Sequence, residues 1–92
     1  MEGHSSISAD VLASYAADAA REVEGVRGFA GRKAIRVSED GSQVVVELHV
    51  AVDWGTSIPD VAAAVQARVG EYLTRMADVE SPRVDVVVDE IG

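Results

Sequence analysis

Residues 53–76 read DWGTSIPDVAAAVQARVGEYLTRM, and this stretch decides the fold. Ser57 is placed to cap a helix, and Asp60, three residues later, completes an acidic capping box. Pro59 falls in the first turn, where its missing N–H costs nothing. The apolar residues of the stretch are spaced by three and four, and they stand at positions 58, 61, 62, 65, 69, 72, 73 and 76. This spacing predicts a long amphipathic helix with Val65 in the middle of its buried face.

A second amphipathic helix is predicted upstream, over residues 9–24. Ser8 is a good N-cap, and Asp10 lies in the first turn, where the helix dipole favours an acid. Gly25 suits the left-handed residue that ends a helix. The apolar face consists of Val11, Leu12, Tyr15, Ala16, Ala19 and Val23. Acidic residues flank this face where a membrane-surface helix would carry lysine and arginine, so we expect the face to pack in a core.

The region between the two helices has the pattern of a β-hairpin. Residues 32–38 and 42–52 are predicted strands, and the dipeptide Asp40-Gly41 is a strong signal for a two-residue turn between them. The expected cross-strand pairs are Glu39–Ser42, Val37–Val44, Ile35–Val46 and Lys33–Leu48. In this register the apolar residues of both strands fall on one face, as a half-buried sheet requires.

A third strand follows the long helix. Pro82 prevents the helix from continuing. Alternation then places Val84, Val86 and Val88 on the inner face and Asp85, Val87 and Asp89 on the outer face. The predicted fold is α+β, a single small domain of order α-β-β-α-β, with a three-stranded mixed sheet and two helices packed on one face. The strand order stays open. We expect residues 1–6 to be flexible and residues 7–91 to form the domain.

Composition restricts the classes of partner. The net charge is −8 and the pI is about 4.5, which disfavours binding to phosphate backbones and to anionic lipid. The sequence has no cysteine, no apolar run long enough to span a membrane and no secretory leader pattern. We therefore expect a cytoplasmic protein, and we expect any membrane association to come through a partner. Its core of valine and alanine offers modest burial energy, so self-association would add stability.

The residues that could carry chemistry are few and scattered. His4 lies near the start and His49 lies on a strand, and neither has another histidine or a cysteine at metal-binding spacing. No nucleophile elbow is present. The acidic pairs that could act as general acid and base are Glu47 with Asp53 and Asp85 with Asp89. Acids spread through so acidic a chain are more typical of a solvated face, so we predict no catalytic residue, no cofactor and no metal site.

The glycines at positions 25–31 allow one alternative function. Gly25-x-x-Gly28 matches the short backbone clamp of KH domains, which bind RNA. That clamp joins two helices, whereas here a helix leads into a strand, and we interpret the segment as a helix stop and a turn. The basic residues near it are Arg27, Arg32, Lys33 and Arg36. A KH-like RNA-binding module is therefore kept as the alternative to a protein that binds proteins.

The outer face of the predicted sheet is mixed, because valines and an alanine interrupt its polar positions. One interpretation is that β-branched residues simply favour exposed strand sites. The other is an interface for a second copy or for a partner, extended by strand addition at an open sheet edge. The candidate interaction surface comprises Arg36, Val45, Glu47, His49, Trp54, Gly55 and Val87.

Several short motifs carry a family resemblance. They are ISADV at 7–11, EVEGV at 22–26, VAVDWG at 50–55, SIPDVA at 57–62, and VQ at 65–66 with Val69. In this order and spacing they resemble the alkaline shock protein (Gls-like) envelope stress response family of bacteria, over residues 7–90. Trp54 stands where a tyrosine is usual in that family.

The resemblance implies a function without catalysis. Members of the family are cytoplasmic proteins linked to cell-envelope homeostasis and stress, some are held at the membrane by a partner, and they have no agreed catalytic site. We therefore expect a non-enzymatic interaction or structural protein that self-associates as a homo-oligomer or binds a membrane-anchored protein. No nucleic acid partner and no direct membrane insertion are expected.

Overall fold

The computed structural model describes residues 8–31 and 33–92. The elements in chain order are α1 (Ala9–Arg21), β1 (Val26–Phe29), β2 (Ile35–Asp40), β3 (Gln43–Val52), α2 (Ile58–Ala77) and β4 (Arg83–Ile91). The α+β class and the packing of both helices on one face of a mixed sheet are confirmed. The flexibility expected for residues 1–6 lies outside the described residues, as does Arg32 at the expected start of the first hairpin strand.

Strand β3 is the centre of the sheet. It pairs with β4 in parallel along one edge. Along the other edge it pairs antiparallel with β2 through its first half and with β1 through its last residues. Strands β1 and β2 therefore share one edge of β3, one after the other. The four strands therefore form three rows. The three strands that the sequence predicts correspond to β2, β3 and β4, and β1 is an additional strand.

Strand β1 corrects the interpretation of residues 25–31 as a turn. Val26 pairs with Val52 and Phe29 pairs with Val50, with an irregularity near Gly28. Four residues that include a glycine carry too little alternation to predict a strand from the sequence. Pairing with the end of β3 therefore determines this strand.

The hairpin forms, but its register differs from the expected one. Asp40 pairs with Gln43, and the two-residue turn is Gly41-Ser42. Gly41 has φ +67°, which suits a turn with glycine at its first central position. The observed apolar pairs are Val37–Val46 and Ile35–Leu48. The expected register is wrong by two residues, and because this is an even number every side chain keeps its predicted face.

The core lies between the inner face of the sheet and the two helices. Tyr15 of α1 and Tyr72 of α2 meet edge to face across it, with ring centroids 5.9 Å apart. Val65 is fully buried, as its place in the helical pattern predicts. The buried residues of β3 and α2 are Val46, Leu48, Val50 and Val52 with Val61, Val65, Val69 and Leu73. Burial on this side leaves the opposite face of the sheet without a covering layer.

The two helix starts differ from each other. The Ser8 hydroxyl accepts a hydrogen bond from the Val11 N–H at 3.2 Å, so the predicted cap of α1 is present. Ser57 has the extended backbone of an N-cap, but its side chain makes no capping hydrogen bond to a described residue. The Thr56 hydroxyl instead donates to the Asp53 carbonyl at 2.7 Å. The capping bond expected from Ser57 is therefore wrong, although α2 begins where the sequence predicts.

Candidate functional site

The uncovered side of the sheet, called the outer face below, brings most of the candidate surface together. Its side chains come from Arg36 of β2, from Val45, Glu47 and His49 of β3, and from Asp85, Val87 and Asp89 of β4. The strand registers place Arg36, Glu47 and Asp85 in one row across the sheet, and His49 beside Val87 in the next. Five of the seven predicted surface residues therefore meet here.

His49 stands at the centre of the outer face between two carboxylates. Its Nε2 atom lies 2.5 Å from Oε2 of Glu47, and its Nδ1 atom lies 2.7 Å from Oδ2 of Asp89. The three side chains are partly shielded, with exposed fractions of 26%, 39% and 41% for His49, Glu47 and Asp89. The cluster ties β3 to β4 across the surface of the sheet.

The geometry of this cluster favours a protonated imidazole. With a proton on each ring nitrogen, His49 donates to both carboxylates at once. The hydrogen bond to Glu47, and after it the one to Asp89, raises the pKa of His49 above its ordinary value of 6.5. The ring then carries a positive charge between two negative ones, and the three side chains keep a net charge of −1. Arg83, whose Nε donates to Oδ1 of Asp85 at 3.3 Å, adds a neighbouring ion pair.

The same geometry does not form a metal centre. Glu47 and Asp89 occupy opposite nitrogens of one imidazole ring, so the two carboxylates and the ring do not converge on a common point. Across the described residues, no group of three histidine, aspartate or glutamate side chains is arranged to hold a metal ion. What the cluster does here is link two strands and set the local charge.

The sequence locates only part of this cluster. Glu47 and His49 are two residues apart on one strand, so alternation places them on one face. Asp89 joins them through the parallel pairing of β3 with β4, in which the register shifts between Val50 and Ala51. The pairs weighed from the sequence, Glu47 with Asp53 and Asp85 with Asp89, do not include this arrangement. No signal within the sequence gives the register of two strands separated by a helix.

Trp54 and Gly55 lie apart from the centre of the outer face, in the turn between β3 and α2. The Trp54 side chain is 82% exposed, while its backbone N–H donates to the Gly92 carbonyl at 2.9 Å. Gly55 has φ +91°, a backbone conformation that favours glycine. Ile91 is also half exposed near this end of the sheet. The predicted surface therefore divides into the outer face and a separate apolar turn.

Two of the four basic residues of the RNA-binding alternative lie beside acids. Arg27 lies 3.7 Å from the Asp53 carboxylate, and Arg36 faces Glu47 across the sheet. Gly25 and Gly28 lie at the passage from α1 to β1, whereas the KH clamp joins two helices. A groove of 780 Å³ beside the hairpin turn is lined by the acids Glu39, Asp78 and Glu80. Acidic surface of this kind disfavours a phosphate backbone.

A pH titration tests the His49 cluster. We expect the imidazole of His49 to titrate above pH 6.5, and Glu47→Gln to lower this pKa more than Asp89→Asn, because the Glu47 bond is the larger cause. Glu71→Gln on α2 removes the same charge far from the ring and should leave the pKa unchanged. NMR of the ring protons measures all four proteins. A His49 pKa that is insensitive to Glu47→Gln would contradict the cluster.

The same shift gives stability a defined pH dependence. Because the pKa is higher in the folded state than in the unfolded state, protonated His49 stabilises the fold fully below its ordinary pKa. This contribution is lost as the pH rises through the raised pKa. The difference in unfolding free energy between the native protein and His49→Gln should therefore be largest at low pH and shrink towards alkaline pH. A difference that stays constant across this range would show that the ring does not titrate as described.

No helix in the described ranges combines the length and the apolar character that crossing a membrane requires.

Solved structures of the MamM CTD have a similar fold. A cadmium form aligns with a TM-score of 0.67 and 22% sequence identity, over 90% of this chain and 98% of the MamM chain. A nickel form aligns with a TM-score of 0.65 and 21% identity, over 88% and 96% of the two chains. A manganese form gives a TM-score of 0.65 and 23% identity over the same shares. At these identities the likeness shows a shared fold.

The family comparison covers the part of the chain that builds the outer face. No curated protein matches the sequence. The model of the alkaline shock protein 23 family, described as having a cell envelope-related function, matches residues 30–92. This region includes β2, β3, α2 and β4, and it confirms the resemblance drawn from the sequence motifs. The chain therefore belongs to the alkaline shock protein 23 family, which has a cell envelope-related function.

Proposed function

We propose that this protein is a non-enzymatic interaction module that serves its envelope-related function by binding another protein or a second copy through the outer face. A cytoplasmic location, with membrane association through an anchored partner, is part of the proposal. The observation that carries it is the composition of the outer face, where exposed or half-exposed Val45 and Val87 lie beside the ordered His49 cluster. On such a surface the apolar side chains contribute affinity, and the fixed charges determine how a partner is oriented.

The arrangement of charges supports a protein partner over a small molecule. The ion pairs of the outer face lie on an open sheet, and no cleft encloses them. Protein-binding surfaces are flat and mixed, whereas small-molecule sites are concave and mostly apolar. Val45 and Val87 sit on neighbouring strands, on either side of the row that contains Glu47. A partner that covers this row would bury both valines and meet the cluster between them.

The double substitution Val45→Lys with Val87→Lys tests the proposal. Both positions are on the outer face and away from the core, so the variant should fold with an unchanged circular dichroism spectrum. It should lose association, measured as native mass by light scattering and as capture of partners from the native cell. The matched control is Ala63→Lys with Ala67→Lys, which adds the same charge to the exposed side of α2.

Two outcomes distinguish the proposal from general charge effects. Loss of association in the valine variant alone would place the interface on the outer face. If the valine variant folds and keeps both its native mass and its partners, the outer face is not the interface. Attention would then move to Trp54 and Gly55.

A further inference from the structure

One edge of strand β4 is not covered by any strand that residues 8–31 and 33–92 form. The His49 N–H donates to Ala34 and the His49 carbonyl accepts from Ala30, at 2.7 and 2.9 Å, so His49 turns its backbone towards the row of β1 and β2. Backbone direction alternates along a strand, so the even-numbered residues of β3 turn towards β4. In the parallel pairing, residues 85 and 87 of β4 then bond to β3. The N–H and carbonyl groups of Val84, Val86 and Val88 point away from the sheet.

The chain itself satisfies little of this open edge. The Gln66 side chain on α2 donates to the Val84 carbonyl at 3.0 Å. Within the described residues, no hydrogen bond beyond the sheet ladders reaches the outward groups of Val86 or Val88. The opposite side of the sheet is less regular, because its row passes from β1 to β2 with a break between Phe29 and Ile35. From Val84 to Val88 the edge of β4 is therefore a regular surface on which, within the described residues, the Val84 carbonyl alone has a hydrogen-bond partner from outside the sheet.

The edge of β4 has only part of the protection that open strands usually carry, namely charged side chains and a register shift near its end, beyond Val88. Its sequence, RVDVVVDEI, contains neither proline nor lysine. Proteins normally use such residues to prevent another chain from pairing with an edge. Val86 and Val88 are half-buried against the core, and Val87 is 37% exposed on the outer face. An added strand would complete the backbone hydrogen bonds and cover these valines.

We propose that the open edge of β4 binds an extended segment of another protein by strand addition, and that this segment carries basic residues opposite Asp85 and Asp89. The proposal rests on the proposed function and specifies the chemistry of its partner. The segment would place lysine or arginine on the outer-face side and small apolar residues on the side of the helices. Opposite charges on facing strands stabilise a pair, and the net charge of −8 attracts a basic segment.

A second copy is a poorer occupant of this edge. If two β4 strands paired antiparallel about Val87, Asp85 of one would face Asp89 of the other. Like charges on facing strands are destabilising. In the antiparallel pair about Val86, Asp85 would face Val87 and Asp89 would face Arg83, so a second copy offers a cation to only one of the two aspartates. A basic segment can place a cation opposite both, and the acids of β4 therefore favour such a segment over a copy of the strand.

Three synthetic peptides test the backbone and the charge separately. A capped nine-residue peptide that alternates lysine and valine should bind the protein in calorimetric titration and shift the NMR signals of the Val86 and Val88 amides. The same peptide with glutamate in place of lysine should not bind. A lysine peptide with an N-methyl group on every backbone nitrogen keeps the charge but loses the donors along both of its edges, and it should bind about tenfold more weakly or worse. Equal binding by the methylated peptide would overturn strand addition.

A proline variant tests the protein side. Val86→Pro removes an N–H that points away from β3, so the pairing of β4 with β3 is kept while the edge is blocked. Binding of the lysine peptide should be lost. Retained binding in a folded Val86→Pro protein would overturn the proposal. It would also be overturned if the native protein is a dimer and Val86→Pro is a monomer, because a second copy would then occupy the edge. The proposed function is tested separately, by Val45→Lys with Val87→Lys. If that double variant loses association while Val86→Pro binds the lysine peptide as the native protein does, the edge proposal is refuted and the proposed function is kept.

Discussion

Val65→Asp should abolish cooperative folding. Val65 lies in the middle of α2 and is 0% exposed. A carboxylate at this site would be buried without a partner, and such a group costs several kcal/mol or forces the site open. A domain of this size is stable by roughly 5–15 kcal/mol at most, and its core is built mainly from valine and alanine. Circular dichroism and thermal unfolding should show little structure and no cooperative transition.

The neighbouring residue supplies the control for this experiment. Ala64 is exposed on the same helix, so Ala64→Asp introduces the same charge one position away without burying it. Its effect should stay near the roughly 0.7 kcal/mol that separates the helix propensities of alanine and aspartate. A Val65→Asp protein that melts cooperatively, as Ala64→Asp should, would mean that α2 presents a different face to the sheet.

Gly25→Ala should destabilise the protein by about 3 kcal/mol, which is the sum of backbone strain and overpacking. Gly25 is buried and has φ +100°, a conformation that residues with a side chain rarely adopt. A methyl group there would lie 2.9 Å from Cγ2 of Val61 and 3.3 Å from Cγ2 of Thr56. The backbone has little freedom to move away, since the Gly25 carbonyl accepts from the Asp53 N–H at 2.9 Å.

Gly41 separates the two contributions. Gly41→Ala meets the same kind of backbone restriction at φ +67°, but no atom lies within 4 Å of the added carbon. It should cost only the conformational part, about 1–2 kcal/mol. Denaturant unfolding of both variants measures the difference. If the two substitutions cost the same, contact with Val61 contributes nothing and the start of α2 does not pack closely on Gly25.

The features that the sequence predicts well are those set by local period. The stripe around Val65 places α2 against the sheet, and strict alternation places His49 and Glu47 on the outer face. Each of these signals requires only neighbouring residues. The buried sides of α1, α2 and β3 therefore follow from the sequence.

The hairpin register shows where local signals become ambiguous. Asp40-Gly41 and Gly41-Ser42 are both acceptable turn dipeptides. The two registers differ by two residues, so each one places all apolar side chains on the same face. Hydrophobic pattern and turn chemistry thus agree for both alternatives. The strand pairing distinguishes them, because Asp40 pairs with Gln43, and this pairing is a property of the folded chain.

The remaining differences come from contacts between distant segments. Strand β1 exists because it pairs with the end of β3, and its own four residues carry almost no strand signal. Asp89 reaches His49 because β4 returns beside β3 after the crossover through α2. Both depend on strand order and register, which the sequence pattern leaves open. The placement of Glu47 and His49 on one face of β3 is predictable from the sequence, and the approach of Asp89 from β4 is not.

The position of β3 between two rows of strands has a consequence for hydrogen exchange. Its backbone groups alternate in direction, so the amides of Val45, Glu47 and His49 face the row of β1 and β2, while those of Val46 and Leu48 face β4. Opening of either row would release only one of these two sets to solvent. Deuterium uptake at alternate positions of a single strand therefore reports separately on the loosening of each side of the sheet.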